Sequence, residues 1–315
     1  MNTRLLPLLI LLCLLLSVFG SAGASGHASA PLLQFDADLA LAHAHHLSEV
    51  IGDRPAGSEG ERRAAGWLAG QFATLGYEVR IQPFLFSRSG RPLIGMNVIA
   101  TRSGHPDYGV LYVGAHYDTV ERIPGFPYGG PGANDNASGV AVLLELARLY
   151  ASAPLTPTLT WVAFSGEEDG LVGSRFFVGN LSIQERMQAQ AMLNFDCVGI
   201  GDALHRYYHR DQDRAFVEAL PVASDHTGRL LWGSSDHVAF AEANIPAVLL
   251  NMHPSEGACG PHYHQPTDVF VTLERTAIER AGRTGAQTIA FLMETSSVRT
   301  FYRQYFPFVA HGGAN

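Results

Sequence analysis

Two adjacent carboxylates, Glu167 and Glu168, follow the apolar, β-branched run at 158–164, which ends in Phe164, Ser165 and Gly166. The run reads as a buried strand. Neighbouring residues leaving a strand need not point the same way, so one carboxylate can hold a metal ion while the other faces a water beside it. Acids this close to a buried strand end are costly unless cations or protons offset them. A lone Glu-Glu pair is ordinarily two solvated acids at a strand-to-loop boundary. This pair has company: His116, Asp118, Asp135, Asp196, His262 and His264 fall in similar strand-end or loop contexts.

Each companion is ambiguous when taken singly. In His116-Tyr117-Asp118 the imidazole can bind metal while the carboxylate supports it from behind, fixing its tautomer and raising its basicity. Asp135 lies in a glycine-rich loop, where a carboxylate can bridge two cations or simply form an Asx-turn. Asp196 ends an apolar run and can equally be a turn-former. His262 and His264 share a loop, and either can be a ligand. Together, oxygen donors mixed with imidazole suit Zn²⁺ well and Mn²⁺ or Co²⁺ acceptably. Such a set exceeds what one tetrahedral catalytic zinc with an open position needs. It suits two metals about 3.5–4 Å apart that share a carboxylate. Glu167 is then free to take a proton from the attacking water and return it to a leaving amine.

These residues need a scaffold that gathers strand ends. Runs at 78–86, 95–101, 109–115, 158–164, 191–195 and 245–250 read as strands. Helical spacing appears at 38–51, from Ser58 to Gly76, and at 140–150, 171–178, 211–223 and 272–293. In the first helix the face is carried by Leu39, Ala42, His46 and Val50. Its histidines, His43, His45 and His46, lack an i, i+4 pair and read as a packed or solvated face. Ser58 with Glu61 forms a capping-box pattern, and Ser235 or Asp236 can cap a helix starting at His237. The glycines at 129–139 are not followed by Lys-Ser/Thr, which disfavours a phosphate loop. Strands alternating with helices predict a three-layer α/β/α sandwich around a mixed, mainly parallel sheet. In such sheets, sites form beyond the carboxyl ends of the strands.

Composition narrows the partners. Net charge is −8 with no basic run, so nucleic acid is not an expected partner. Arg4, the apolar run at 5–19 and the small residues Ala22, Gly23 and Ala24 form a secretory signal pattern. Residues 1–24 are therefore expected to be removed, leaving 25–315 as one exported domain, periplasmic or secreted. A monomer without membrane attachment after signal cleavage is expected. Cys197 and Cys259 then remain, and oxidation can join them if they are close.

Five motifs converge in order: Gly114-Ala115-His116-Tyr117-Asp118; Gly132-Ala133-Asn134-Asp135-Asn136-Ala137-Ser138-Gly139; Phe164 through Ser174 around the acid pair; Asn194 through Gly199 around Asp196; and His264-Gln265-Pro266-Thr267-Asp268. From about Arg54 through the last helix, the chain strongly resembles the di-zinc aminopeptidases of peptidase family M28. The resemblance implies the zinc-peptidase (phosphorylase/hydrolase-like) fold and two Zn²⁺ per chain. His116 and Asp196 would hold one ion, Glu168 and His264 the other, and Asp135 would bridge them. It selects His264 over His262. It makes Glu167 the general base, with Asp118 orienting His116. Tyr263 would donate to the tetrahedral intermediate, and Asp236 would contact the substrate's amino end, unless it only caps its helix. Cys197 departs from the family, where methionine is frequent.

The expected reaction is removal of N-terminal residues from peptides with a free N-terminus. A carboxypeptidase of the same family would need a cationic pocket, for which Arg175, Arg206 and Arg210 are candidates. Glutaminyl cyclase, an acyltransferase on the same fold, uses a single zinc, whereas this chain keeps all five ligands. A metal-free binding domain should have lost ligands or the base, and neither is lost here.

Overall fold

The computed structural model describes residues 34–230, 234–253 and 259–294. The expected signal segment, most of the small-residue stretch after it and the tail beyond Ser297 lie outside the described residues.

Eight strands form one sheet: β1 (Glu78–Arg88), β2 (Arg91–Arg102), β3 (Val110–His116), β4 (Thr158–Phe164), β5 (Ala189–Phe195), β6 (Ala203–Tyr208), β7 (His226–Arg229) and β8 (Ala247–His253), in the order β1-β2-β4-β3-β5-β8-β6-β7. The centre is parallel, β3 pairing with β4 and β5, and β5 with β8. Antiparallel pairs β1/β2, β2/β4 and β6/β8 flank it. The strands foreseen at the centre lie where the apolar runs put them. The short β6 and β7, without a clear alternating pattern, were not foreseen.

Residue alternation makes the layers. On β3, Leu111, Val113 and Ala115 face the larger core, while Tyr112 faces the smaller one. The larger core is closed by α1 (Ala37–His45), α2 (Glu59–Thr74), α3 (Ser138–Tyr150) and α8 (Arg275–Glu294). The smaller is closed by α4 (Val172–Gly179), which supplies Phe177, and α7 (His237–Glu242), which supplies Phe240. Two shorter helices, α5 (Ile183–Gln188) and α6 (Arg214–Ala219), lie between strands in the chain. The expected three-layer sandwich is the observed one.

Two helices differ from expectation for visible reasons. On α1 the buried residues are Ala37, Ala40 and Ala44, continued by Leu47, while Leu39 and Val50 are 43% and 62% exposed. Small alanines let α1 pack closely on α3, and the larger side chains are left outside. Its last turn widens into a π-helical turn at His46–Ile51. The helix expected at 211–223 is regular only over Arg214–Ala219. Leu220 is extended because Pro221 follows it, and a residue before proline avoids the helical region.

Candidate metal centre

Since β3, β4 and β5 run parallel, their carboxyl ends share one edge of the sheet. His116 is the last residue of β3, Glu167 and Glu168 follow β4, and Asp196 follows β5. His116 Nε2 lies 3.2 Å from Asp135 Oδ1 and 3.5 Å from Asp196 Oδ1. His264 Nε2 lies 3.2 Å from Asp135 Oδ2 and 3.1 Å from Glu168 Oε2. Asp135 thus turns one oxygen to each histidine. His116, Asp135 and Asp196 form one donor group, and Asp135, Glu168 and His264 a second. All five candidate ligands meet in one cluster, with Glu167 beside His116 and Glu168.

Asp118 sits behind this cluster. Its Oδ1 is 3.6 Å from His116 Nδ1, and its carboxylate accepts the backbone N–H groups of Glu167 (3.2 Å) and Glu168 (3.4 Å). One acid therefore ties the β3 end to the turn after β4.

The loop carrying Asp135 is held from several sides. Gly132 has φ 55°, and a Cβ there would collide with the Asp135 carbonyl, so the turn requires glycine. Asp268 accepts the N–H groups of Asn134 (2.8 Å) and Asp135 (3.0 Å). Asn136 Oδ1 accepts from Gly139 and Cys197, and its Nδ2 donates to Phe195 O. Asn134 donates to Cys259 O and accepts from Gly199. A Cys197–Cys259 disulfide joins the turn after Asp196 to the loop leading to His264.

Sequence reasoning missed two further supports. Arg54 is fully buried and donates to the carbonyls of Tyr117 (2.5 Å), Gly132 (2.9 Å) and Pro131, with longer contacts to Gly52 and Leu47. It spans the β3 end and the Asp135 loop. Burial lowers its pKa to about 10, so it stays cationic at neutral pH. Glu61 completes only half of the expected capping box. Ser58 accepts from Glu61 N, but the Glu61 carboxylate accepts from Gly57 N, Met96 N, Ser165 Oγ and the Tyr117 hydroxyl. The one available signal was a charged residue inside a Pro/Gly turn for Arg54. For Glu61 the capping pattern itself hid the larger role.

The other sequence candidates have a different standing. Asp236 precedes α7 but makes no capping hydrogen bond. It is fully buried with both carboxylate oxygens unpartnered, and burial with the nearby Asp118 and Asp196 raises its pKa to about 7. Ser235 does not cap either; it donates to Asp196 Oδ2 at 2.6 Å. Tyr263 is 47% exposed and stacks on the His264 ring at 3.7 Å, with no hydrogen bond from its hydroxyl to the cluster. His262 turns away to Thr267 Oγ1 at 3.0 Å. His43 and His46 pack on Trp67, and His45 on Phe270.

The donor set fits divalent metal. Despite separations of 3.1–3.5 Å, His116 Nε2, His264 Nε2, Glu168 Oε1 and Asp196 Oδ1 are buried without a hydrogen bond. Buried polar atoms are nearly always satisfied, so a cluster of orphans points to an absent partner. Burial and the neighbouring Asp135 push Glu168 up to about 7, and burial pushes Glu167 well above the carboxylate range. Cations would offset the like charges causing that strain.

Comparison with known proteins agrees with the geometry. Residues 97–289 match the model of peptidase family M28, and the chain belongs to this family. Aminopeptidase YwaD of Bacillus subtilis is 34% identical over 188 residues, covering 56% of this chain and 39% of that protein. The chain spans less than half the length of this and the next curated relative it matches. Among solved structures, a zinc aminopeptidase from Bacillus subtilis superposes with a TM-score of 0.71 at 21% identity, covering 84% of this chain and 96% of its own. A glutaminyl cyclase from Porphyromonas gingivalis gives 0.67 at 24%, covering 84% and 99%. At these identities the structural likeness carries the fold. Among the described residues, no helix is long and apolar enough to cross a membrane.

Proposed function

We propose that the protein is a zinc-dependent aminopeptidase that removes N-terminal residues from peptides. The observation that carries this reading is Asp135, with one oxygen toward His116 and the other toward His264, between two donor groups. In this reading His116 and Asp196 would hold one zinc, Glu168 and His264 would hold a second, and Asp135 would serve both. A metal pair so held polarises the scissile carbonyl and acidifies a water.

The protein's own groups do the rest. Glu167, with its pKa raised by burial, takes a proton at its carboxylate and delivers it to the leaving amine. Asp118 holds the His116 ring and, through two backbone N–H groups, the turn bearing both glutamates. Asp236 would supply negative charge for the substrate's ammonium. Tyr263, at the exposed rim, donates to the oxyanion. Residues 25–315 act as a single exported domain, monomeric and free of the membrane once 1–24 are removed. Its partners are peptides with a free N-terminus.

The test is mass spectrometry of a peptide pool incubated with the zinc-loaded protein. The pool contains free and acetylated N-termini and some N-terminal glutamines. Stepwise loss from free N-termini alone is the expected result. Loss from C-termini, or loss of ammonia at glutamine, would replace the reading with carboxypeptidase or cyclase.

A further inference from the structure

A cavity of about 210 Å³ opens beside Glu168, on the opposite ligand set from Asp196. We propose that it is the subsite for the side chain of the residue following the scissile bond, and that it takes an uncharged apolar side chain. This rests on the aminopeptidase reading.

The direction follows from which side of the cluster is open. Among the described residues on the Asp196 side, Ser235 and Asp236 are buried, at 1% and 0% exposure. On the Glu168 side the loop after β3 presents Ile123 at 46% and Tyr128 at 38% exposure. An enzyme that grips a free N-terminus needs a blind end for the terminal residue. It needs an open side for the remaining chain. The cavity lies on the open side and shares Glu168 with the ligand cluster, so the first residue of the leaving peptide passes it.

Its chemistry follows from the walls. Val120, Ile123 and Tyr128 make an apolar side. The charged side is already neutralised. Arg88 donates to both oxygens of Asp169 (2.7 and 2.5 Å) and to Ala56 O, and lies 3.4 Å from Glu121. Glu121 is also held by Arg91 at 3.1 Å. With its guanidinium committed, Arg88 offers nothing to a substrate carboxylate. A carboxylate entering here would lose water and gain no free cation, and a lysine would have to compete with Arg88 and Arg91 for Asp169 and Glu121. The volume is that of about seven waters, enough for leucine or phenylalanine.

The experiment uses the zinc-loaded full chain. One peptide series fixes the first residue and varies the second through glycine, leucine, phenylalanine, lysine and glutamate. A second series varies the first residue before a fixed second one. Leucine and phenylalanine at the second position should exceed glycine in kcat/KM by roughly tenfold or more. Ile123→Arg should erase that preference and leave the ranking of first residues in place. Ile123→Ser, milder at the same exposed position, should reduce it. A flat second-position profile in a protein that does trim peptides overturns the subsite alone. So does an Ile123→Arg protein that reorders the first position instead. A protein that trims no peptide overturns the aminopeptidase reading and the subsite with it.

Discussion

Replacing Arg54 by methionine removes the guanidinium that joins two parts of the candidate site while nearly keeping side-chain length. Three short hydrogen bonds are lost, to Tyr117, Pro131 and Gly132, and two long ones to Gly52 and Leu47. Bonds to a charged donor contribute about 1.5–3 kcal/mol each, and a buried carbonyl left unpaired costs about 1–3 kcal/mol. The gross loss over three carbonyls is then about 5–9 kcal/mol. Removing a buried cation recovers part of it, because desolvation had already disfavoured that charge. A net destabilisation of about 3–5 kcal/mol is expected. Urea unfolding of metal-free wild type and Arg54→Met, fitted with a common slope, measures it. The same pair with zinc tests the second half. The β3 end and the Asp135 loop should no longer hold their ligands in place, so the variant should gain less stability from a given zinc concentration. A loss below about 1 kcal/mol together with an unchanged zinc-induced gain would refute the idea that Arg54 ties these segments together.

Glu167→Gln should retain zinc, measured by elemental analysis, while turnover falls by about 10²–10⁴-fold; turnover at the wild-type level would remove Glu167 as the base. Thiol alkylation of the unfolded chain without reductant should leave Cys197 and Cys259 unmodified. With a sequence separation of 62, Cys197→Ser plus Cys259→Ser should cost about 4 kcal/mol in denaturant unfolding, and a change near zero would dismiss the bond as a stabiliser. Asp213 is buried 3.7 Å from Arg210, and burial raises its pKa from 3.8 to about 6. Its folded pKa lies above the unfolded one, so it costs stability as pH rises through about 4–6. Asp213→Asn should therefore stabilise the protein by on the order of 2 kcal/mol at pH 7.5, with the gain fading toward pH 4. A pH-independent difference would show that the charge is already compensated.

The parallel centre of the sheet was legible because β3, β4 and β5 are buried on both faces and read as continuous apolar runs. Of the five candidate ligands, His116, Glu168 and Asp196 were legible because motif and strand end coincide, and Asp135 and His264 because their loops carry motifs of their own. Strands β6 and β7, at one end of the sheet, were not, since His205, His226 and their neighbours carry no alternating pattern. The supports of the site were hidden for a different reason. Arg54 and Glu61 act on carbonyls and N–H groups far along the chain, and such bonds leave no period or spacing. Asp236 shows the limit from the other side. Its position at a helix start matches a cap, yet its carboxylate is left unpartnered in the interior.

The candidate ligands span the chain from His116 to His264, and the last must return past β8 to reach the first. During synthesis, the growing polypeptide has His116, Asp135, Glu168 and Asp196 long before it has His264. One donor group can therefore be filled while the other is still incomplete. If two metals are required, the ribosome must deliver nearly the whole domain before any hydrolysis begins. A chain cut short before His264 would then be inactive toward its neighbours.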